Sequence, residues 1–474
     1  MKTTSFLLLV MLCSFSPLSA QLGNLVKDAR QLSNSGRQAA QTAPSATRST
    51  PAPTGQEQST PSPAGQTYYV CAATGRGQLA TREQPARDLS VVVPKLQPGD
   101  VVYLSGGVYT GRMDEGSDLI EVPVSIIGGW NDSFTARDPW GAHKTVLTGN
   151  NVYMKSSLER LAILTDRAYK DWDGEIVIDG IIVDNGPRNR YHLNQNLAIL
   201  RKADPAGGQN PSPNTPGIKV RTGQRTRVAV RNCVVMNTAP TQGAIDLQLN
   251  KGGSAIVENN LVINNTGEGI MCKTNWHSPD APPRFLLRNN TILFSWKYDP
   301  IGSFGGNAIM MDGNTVMTIE HNLLGFGDFG GVNNVKQCKA LTLANNVFFG
   351  HKAYDYKEYN TKMGLADTED YAQYLTPQSG GNTTATPLLP IPKSWSEIYL
   401  SRRDISREEV DASVTVSNSG ENQVRGILGL PLQGNAVKTD AEIFLPLLPL
   451  ADLNLQAFQR HNGAGCQNPG LTTR

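Results

Sequence analysis

The sequence predicts an all-β chain folded as a parallel β-solenoid, and three observations lead to that prediction. A motif of alternating apolar residues followed by a polar pair recurs through the middle of the chain. After the first interval its copies follow one another every 24 to 32 residues, which is typical of one solenoid coil. The 474 residues include 46 Gly and 29 Pro, a turn-rich composition that disfavours a helical bundle.

The copies of the repeat align on one position inside the polar turn. They read IVIDGIIVDN from 176, VAVRNCVVMN from 228, AIVENNLVIN from 255, FLLRNNTILF from 285, MTIEHNLLGF from 317 and LTLANNVFFG from 341. Apolar residues at every second position indicate strands and not helices. The aligned turn position holds Gly180, Asn232, Asn259, Asn289, His321 and Asn345. Because Gly and Asn tolerate left-handed backbone, we expect a sharp bend at this position, and we interpret His321 as a turn residue.

A third apolar segment follows the copies, as in GIKVRT from 217, AIDLQL from 244, GIMCKT from 269 and AIMMDG from 308. One coil therefore has three strands, and outward side chains of successive coils stack in columns. The first predicted column holds Lys219, Asp246, Met271 and Met310. The second predicted column holds Arg221, Gln248, Lys273 and Asp312.

A different outward position, just before the polar turn, alternates in charge from coil to coil. It is occupied by Arg231, Glu258, Arg288 and Glu320. Opposite charges on neighbouring strands pair across the sheet, so we interpret this column as structural.

The N-terminal region predicts export. Residues 1–20 combine Lys2, an apolar core and small residues before Gln21, which is typical of a cleaved secretory signal peptide. Residues 21–66 are rich in Pro, Ser and Thr and predict a disordered tether. We expect a secreted, periplasmic or cell-surface protein that acts as a monomer.

The rest of the chain divides by where the repeat stops. Residues 67–350 are predicted to form the β-helix. Residues 351–440 lose the repeat and predict an irregular insertion, with a candidate late strand at 411–420. Residues 441–474 are apolar enough for a C-terminal cap, which a solenoid needs to cover its end.

The charge balance, the hydrophobic segments and the cysteine spacing disfavour several function classes. With 43 basic and 41 acidic residues the net charge is +2, which disfavours nucleic-acid binding through a basic field. No segment beyond the signal is long and apolar enough to predict a transmembrane helix. The cysteines after Cys13 lack CxxC spacing, which disfavours zinc and favours small buried side chains, although Cys71 and Cys466 could pair.

The second Asn of the polar pair adds a resemblance to a known family. Asn260, Asn290, Asn322 and Asn346 match a stacked asparagine ladder, and LQPGDVVYLSGGVYTG at 96–111 matches a usual entry segment. In these features the chain resembles the right-handed parallel β-helix (pectate-lyase-like) superfamily, of the secreted bacterial type. The resemblance covers roughly 67–350, and it implies the fold without implying one activity.

The resemblance also implies a chemistry, because several enzymes of this superfamily cleave acidic polysaccharides by β-elimination at a uronic acid. On that basis Lys273 is the expected base, Arg221 binds the substrate carboxylate, and His277 is a further candidate catalytic residue. Asp246 and Asp312 would hold calcium or orient the lysine.

Three more residues complete the expected site. Trp276 would stack on a sugar ring, and Gln248 and Asn275 are candidate substrate-binding residues. The sequence contains no Asp-Asp pair, which disfavours the polygalacturonase-like hydrolases of the same superfamily, and no DPHD motif of its alginate epimerases.

The alternatives stay open at this stage. The two columns also fit a solvated face of unrelated polar side chains, and Asp312 beside Lys273 would raise the lysine pKa. A non-catalytic cell-surface or carbohydrate-binding protein is the alternative function, supported by the tether and by the absence of a known catalytic motif. Convergence of Arg221, Lys273 and Asp312 in a groove would favour the enzyme.

Overall fold

The computed structural model describes residues 65–111, 116–149, 159–186, 216–238, 242–274, 280–297, 305–336, 338–385, 387–395, 399, 414–416, 436–438 and 448–471. All of them belong to one compact unit, Pro61–Arg474. The predicted signal peptide lies outside the described residues, as does nearly all of the predicted tether.

The chain folds as a right-handed parallel β-helix, as predicted, with three long sheets that run the length of the solenoid. Sheet A contains β1 Thr67–Val70, β2 Val101–Ser105, β5 Ser125–Trp130, β8 Glu175–Asp179, β11 Arg227–Arg231, β14 Ser254–Glu258, β17 Arg284–Arg288, β20 Val316–Glu320 and β23 Ala340–Ala344. Sheet B contains β3 Gly107–Tyr109, β6 Thr145–Leu147, β9 Ile181–Asp184, β12 Val234–Met236, β15 Leu261–Thr266, β18 Thr291–Trp296, β21 Leu323–Gly327 and β24 Val347–Phe349. Sheet C contains β4 Asp118–Ile120, β7 Leu161–Leu164, β10 Ile218–Arg221, β13 Gly243–Leu249, β16 Glu268–Thr274, β19 Asn307–Asp312, β22 Gly330–Lys336, β25 Tyr354–Glu358 and β26 Thr361–Met363.

The remaining regular elements are short. They are helix α1 Leu89–Val92, helix α2 Leu365–Tyr371, the 3-10 helices Val93–Lys95, Leu450–Asp452, Leu455–Ala457 and Pro469–Leu471, and the antiparallel pair β27 Val414–Val416 and β28 Ala436–Lys438. Strand β27 lies inside the segment 411–420 that the sequence singled out as a late strand.

The bend between sheets A and B occurs where the sequence predicts it. Gly180 has φ 68°, Asn232 53° and Asn259 55°. Asn289 and His321 follow with 53° and 54°. The left-handed backbone turns the chain sharply from a strand of sheet A into a strand of sheet B, so His321 is a turn residue, as interpreted.

The residue after each bend forms the asparagine ladder. The amide of Asn260 donates to Asn290 Oδ1 at 2.9 Å, Asn290 donates to Asn322 at 2.9 Å, and Asn322 donates to Asn346 at 3.0 Å. The ladder runs one step further than predicted, to Asn382 at 3.0 Å. Each side chain also satisfies backbone groups, which keeps the polar turn hydrogen-bonded inside the solenoid.

Inward side chains of the three sheets fill one continuous apolar core. Register-aligned Val230, Val257, Leu287, Ile319 and Leu343 are buried from coil to coil, as the alternating pattern predicts. Such aligned stacking removes aliphatic surface from water along the whole length of the solenoid.

Only part of the charged column on sheet A forms the ion pairs that the sequence predicts between neighbouring coils. Arg288 Nη2 lies 2.7 Å from Glu258 Oε2 on the neighbouring strand. Arg231 instead pairs with Asp179 on the preceding coil, at 2.7 Å from Nε to Oδ2. The column is a structural feature of sheet A.

The C-terminal segment differs from the predicted cap. Residues 448–471 lie across the outer face of sheet B and do not close an end of the solenoid. The Cys466 N–H donates to Thr291 Oγ1 at 2.9 Å, and the Gln467 N–H donates to Asn259 Oδ1 at 2.8 Å. The outward residues of sheet B are large and apolar, so this surface needs a cover, and the apolar C-terminal segment provides it.

The region after residue 350 keeps part of the coil. Strand β25 pairs in parallel with β22, and β26 turns back antiparallel to β25. Sheet C therefore extends to Met363, beyond the boundary predicted at 350, and α2 begins two residues later.

The five described cysteines, Cys71, Cys233, Cys272, Cys338 and Cys466, are buried and free. Cys71 and Cys466 do not pair. Within the described ranges no helix combines the length and apolar character that crossing a bilayer requires.

Candidate functional site

The two predicted columns lie on the outer face of sheet C. Lys219 is in register with Asp246, Asp246 with Met271, and Met271 with Met310. The second column is aligned in the same way, since Arg221 pairs with Gln248, Gln248 with Lys273, and Lys273 with Asp312. The predicted stacking is therefore confirmed, because the strands keep one register across four coils.

Lys273 is the centre of this face. Its ammonium lies 3.2 Å from Asp246 Oδ1 and 3.5 Å from Oδ2, and it donates to Gln242 Oε1 at 2.5 Å. The side chain is only 13% exposed and that of Asp246 only 1%. Asp246 Oδ2 also accepts from Gln248 Nε2 at 3.3 Å. The lysine is thus held over the sheet by a buried carboxylate on the preceding strand.

Burial sets the electrostatics of the pair. It lowers the pKa of Lys273, and the positive charge of Lys219 lowers it further, while Asp246 acts in the opposite direction. Burial likewise raises the pKa of Asp246, against the attraction of Lys273 and Lys219. The pKa of Lys273 is lowered on balance, and the main cause is burial.

The two other cations of the face are already paired. Arg221 Nη2 lies 2.8 Å from Asp166 Oδ2, and Lys219 Nζ lies 2.7 Å from Glu159 Oε1. The Nε of Arg221 is buried without a hydrogen-bond partner among the described residues. Arg221 stands two strands from Lys273, about 10 Å across the sheet.

Asp246 and Asp312 do not converge. Asp312 Oδ1 lies 3.5 Å from Lys336 Nζ, and Asp246 pairs with Lys273 instead. Among the described residues no group of three or more His, Cys, Asp and Glu side chains could hold a metal ion. The two carboxylates therefore do not fit the oxygen-rich coordination shell that calcium requires.

Three predicted site residues, Asn275, Trp276 and His277, lie outside the described residues. They follow Thr274, the last residue of β16, so they begin the chain segment closest in sequence to Lys273. Most of residues 187–216, between β9 and β10, also lie outside the described part of the chain.

Sequence reasoning missed two residues of this face. Gln242 precedes β13 and contacts the Lys273 ammonium from outside the repeat pattern. Glu268, at the start of β16, is 5% exposed, and burial raises its pKa to about 7 although its carboxylate accepts from the Asn307 N–H at 3.1 Å. The only sequence signal for Glu268 is an acidic residue next to turn glycines, which predicts nothing specific.

No protein-family model matches the chain, and no curated protein matches it. Two solved structures are similar to the chain in a structural comparison. The crystal structure of pectate lyase Pel9A is 11% identical, with a TM-score of 0.35, over 82% of this chain and 89% of that one. The GH136 lacto-N-biosidase from Eubacterium ramulus is 14% identical, with a TM-score of 0.22, over 68% of this chain and 67% of that one. At these scores the likenesses add nothing about activity.

Proposed function

We propose that this protein is a secreted polysaccharide-active enzyme, a lyase that cleaves a uronic-acid polymer by β-elimination with Lys273 as the base. The observation that carries the proposal is the environment of Lys273. The Lys273 side chain lies on the outer face of sheet C, yet only 13% of it is exposed and its pKa is lowered. A larger neutral fraction at working pH makes such a lysine a better general base than an exposed one.

The step needs only substrate, the lysine and water. The neutral Lys273 amine takes the proton from C5 of the uronate. The electrons of the C5–H bond form the double bond between C4 and C5, and the bond from C4 to the glycosidic oxygen breaks. The leaving oxygen takes a proton from water, and the ammonium loses its proton to solvent before the next turnover.

Arg221 is the proposed partner of the substrate carboxylate. Binding substrate in this way exchanges the contact with Asp166 Oδ2, now 2.8 Å from Nη2, for a contact with the substrate carboxylate. The proposed step does not use calcium, because Asp246 and Asp312 each pair with a lysine.

The test is an elimination assay on the full secreted chain. Uronic-acid polysaccharides are incubated with the wild type and with Lys273→Ala, with and without calcium, and the ultraviolet absorbance of the unsaturated product is followed. The control variant Lys336→Ala removes a lysine that is 68% exposed on the next strand but one of the same sheet. We expect product from the wild type and the control and none from Lys273→Ala.

Two results overturn parts of the proposal. Elimination that survives Lys273→Ala keeps the lyase and excludes this base. No elimination by the wild type on any polymer excludes the lyase.

One observation favours a second function, binding without catalysis. Lys219, Arg221 and Lys273 each contact a carboxylate already, which is how a stable charged surface is built. A non-catalytic surface or carbohydrate-binding protein would bind acidic polysaccharide without forming unsaturated product or new reducing ends. Measuring binding and product release on the same samples separates the two functions.

A further inference from the structure

Three lysines surround one phenyl ring at the C-terminal end of sheet C. The ammonium groups of Lys297 and Lys362 each lie 4.8 Å from the centroid of Phe329, and that of Lys357 lies at 5.7 Å. We call these three side chains the lysine cluster. Phe329 precedes β22 and is 9% exposed.

Two members of the lysine cluster oppose each other directly. Lys357 on β25 and Lys362 on β26 are register partners in an antiparallel pair. Like charges in this position are destabilising. Burial and the charge of Lys362 both lower the pKa of Lys357. Attraction to the face of a phenyl ring is modest at partly exposed sites, so Phe329 offsets only part of the repulsion.

Glu268 is a poor counter-ion for the cluster. Burial raises its pKa to about 7, even with Lys357 nearby favouring the charged form. The carboxyl of Glu268 therefore keeps its proton to higher pH than an exposed glutamate does, which weakens it as a counter-ion near neutral pH. Asn307 occupies one of its oxygens, since the Asn307 N–H donates to Oε2 at 3.1 Å.

The other nearby carboxylates have partners elsewhere. Asp328 Oδ1 lies 2.7 Å from Lys352 Nζ. Glu358 accepts from the backbone N–H groups of Gln373 and Tyr374, at 3.0 and 3.1 Å. In the part of the chain that the structure describes, no carboxylate forms an ion pair with Lys357 or Lys362.

We propose that Lys357 and Lys362 of the lysine cluster form a binding subsite for a carboxylate group of the acidic polysaccharide. This inference rests on the proposed function for its ligand. The position of the cluster supports it, because Lys357 continues the first column of sheet C, in register with Asn333 and, through it, Met310 and Met271. Lys357 is three strands from Met271, which places the cluster about 14 Å along the solenoid axis from the Lys273 coil.

The geometry fits a saccharide chain that lies across the strands. Such a chain would put one uronate at Lys273 and a later one of the same polymer at the lysine cluster. The carboxylate would lie between Lys357 and Lys362 and relieve their repulsion.

The test measures binding by the full chain in the Lys273→Ala background, so that the probe is not consumed. The probes are an oligogalacturonate, its methyl ester and inorganic sulfate, at constant ionic strength. The double variant Lys357→Gln/Lys362→Gln is compared with Lys170→Gln/Lys251→Gln, which removes the same charge from two exposed lysines outside the cluster. We expect the cluster variant to bind the oligogalacturonate roughly tenfold more weakly or worse than the control, and the methyl ester to bind weakly to both.

A thermal unfolding measurement without probe separates binding from a structural role. If the lysine pair is unfavourable until an anion binds, Lys362→Gln unfolds at the same temperature as the parent or higher. A lower unfolding temperature would make Lys362 a structural residue and overturn the proposal.

The other outcomes of the binding and elimination assays also test the proposal. Equal oligogalacturonate binding by the cluster and control variants overturns the subsite, and so does an equally bound methyl ester. Sulfate that binds the cluster as tightly as the oligosaccharide makes it a site for small free anions and overturns the saccharide assignment. If the cluster variant binds more weakly than the control but the wild type forms no elimination product, only the proposed lyase is contradicted. If the wild type eliminates but the cluster variant binds as well as the control, only the subsite is contradicted.

Discussion

Lys273 Nζ lies 3.2 Å from Asp246 Oδ1, between adjacent strands of sheet C and between the two outward columns of that sheet. Burial works against the charge on both groups, and each charge stabilises the other. Burial therefore lowers the pKa of Lys273 while the Asp246 carboxylate raises it. The balance between these two effects sets the pH above which the amine is neutral and available as a base.

Asp246→Asn is expected to shift the pH dependence of elimination to lower pH. Activity of a lysine base rises as pH passes its pKa, and Asp246 raises the pKa of Lys273, so removing its charge lowers that pKa. The pH profile of kcat/KM measures the shift. Asp312→Asn is the control and should shift the profile less, because Asp312 pairs with Lys336. A shift to higher pH would contradict the pairing described for Lys273.

Glu268 is expected to make the protein less stable as pH rises. Its pKa is raised from 4.5 to about 7 by burial, so between these values the folded state binds more protons than the unfolded state. Its contribution to stability is full below pH 4.5 and is lost as pH rises through about 7. Glu268→Gln removes this loss, so the variant gains on the order of 3 kcal/mol over the wild type above pH 7.

Denaturant unfolding at several pH values measures the Glu268 effect. Glu320→Gln, on sheet A, controls for the removal of one negative charge. A wild type whose stability is flat or rising across this pH window, with Glu268→Gln parallel to it, would contradict the burial of a raised-pKa carboxyl at this position.

Asn290→Ala is expected to cost about 3 kcal/mol of unfolding free energy. Asn290 accepts from the backbone and side chain of Asn260 and donates to Val257 O and Asn322 Oδ1, and its side chain is fully buried. The substitution leaves several of these groups buried without partners. Thr318→Ala, on the half-buried outer face of sheet A, should stay within about 0.5 kcal/mol. Equal costs for the two variants would show that the ladder does not stabilise the turn.

His321→Asn is expected to preserve both folding and activity. His321 has φ 54°, in the column where most other coils place Asn. Asn adopts this backbone easily, so unfolding free energy should change by only a few tenths of a kcal/mol. His321→Val should cost more, since a branched side chain disfavours left-handed backbone. Loss of elimination in a folded His321→Asn protein would give this histidine a catalytic role.

The repeat made much of the fold and of the candidate face predictable. Asn232 and Asn259 predict the bend because left-handed backbone selects among few residue types. Lys273 could be placed beside Gln248 and Asp312 because parallel strands in register convert a sequence interval into a spatial neighbour.

Contacts that do not follow the repeat were not predictable. The C-terminal segment reaches Asn259 through Gln467, a contact that no periodicity encodes. The pairing of Lys357 with Lys362 follows a reversal of the chain after the repeat has ended. The ion-pair partner of Lys273 also depends on the direction of its side chain. The lysine pairs with Asp246, which lies diagonally across the preceding strand, and not with Asp312, which is in register on the next strand.

Chemical rescue tests the central claim most directly, that the amine of Lys273 removes the substrate proton. Lys273→Ala leaves a space beside Asp246 in which a small primary amine could replace the lost group. We expect added ethylamine to restore elimination in proportion to the concentration of its neutral form, whereas tetramethylammonium, which has no proton to exchange, restores nothing. Undiminished elimination by Lys273→Ala without any amine would contradict the role of Lys273 as the base, and so would an inactive variant that no amine rescues while its binding of oligogalacturonate stays intact.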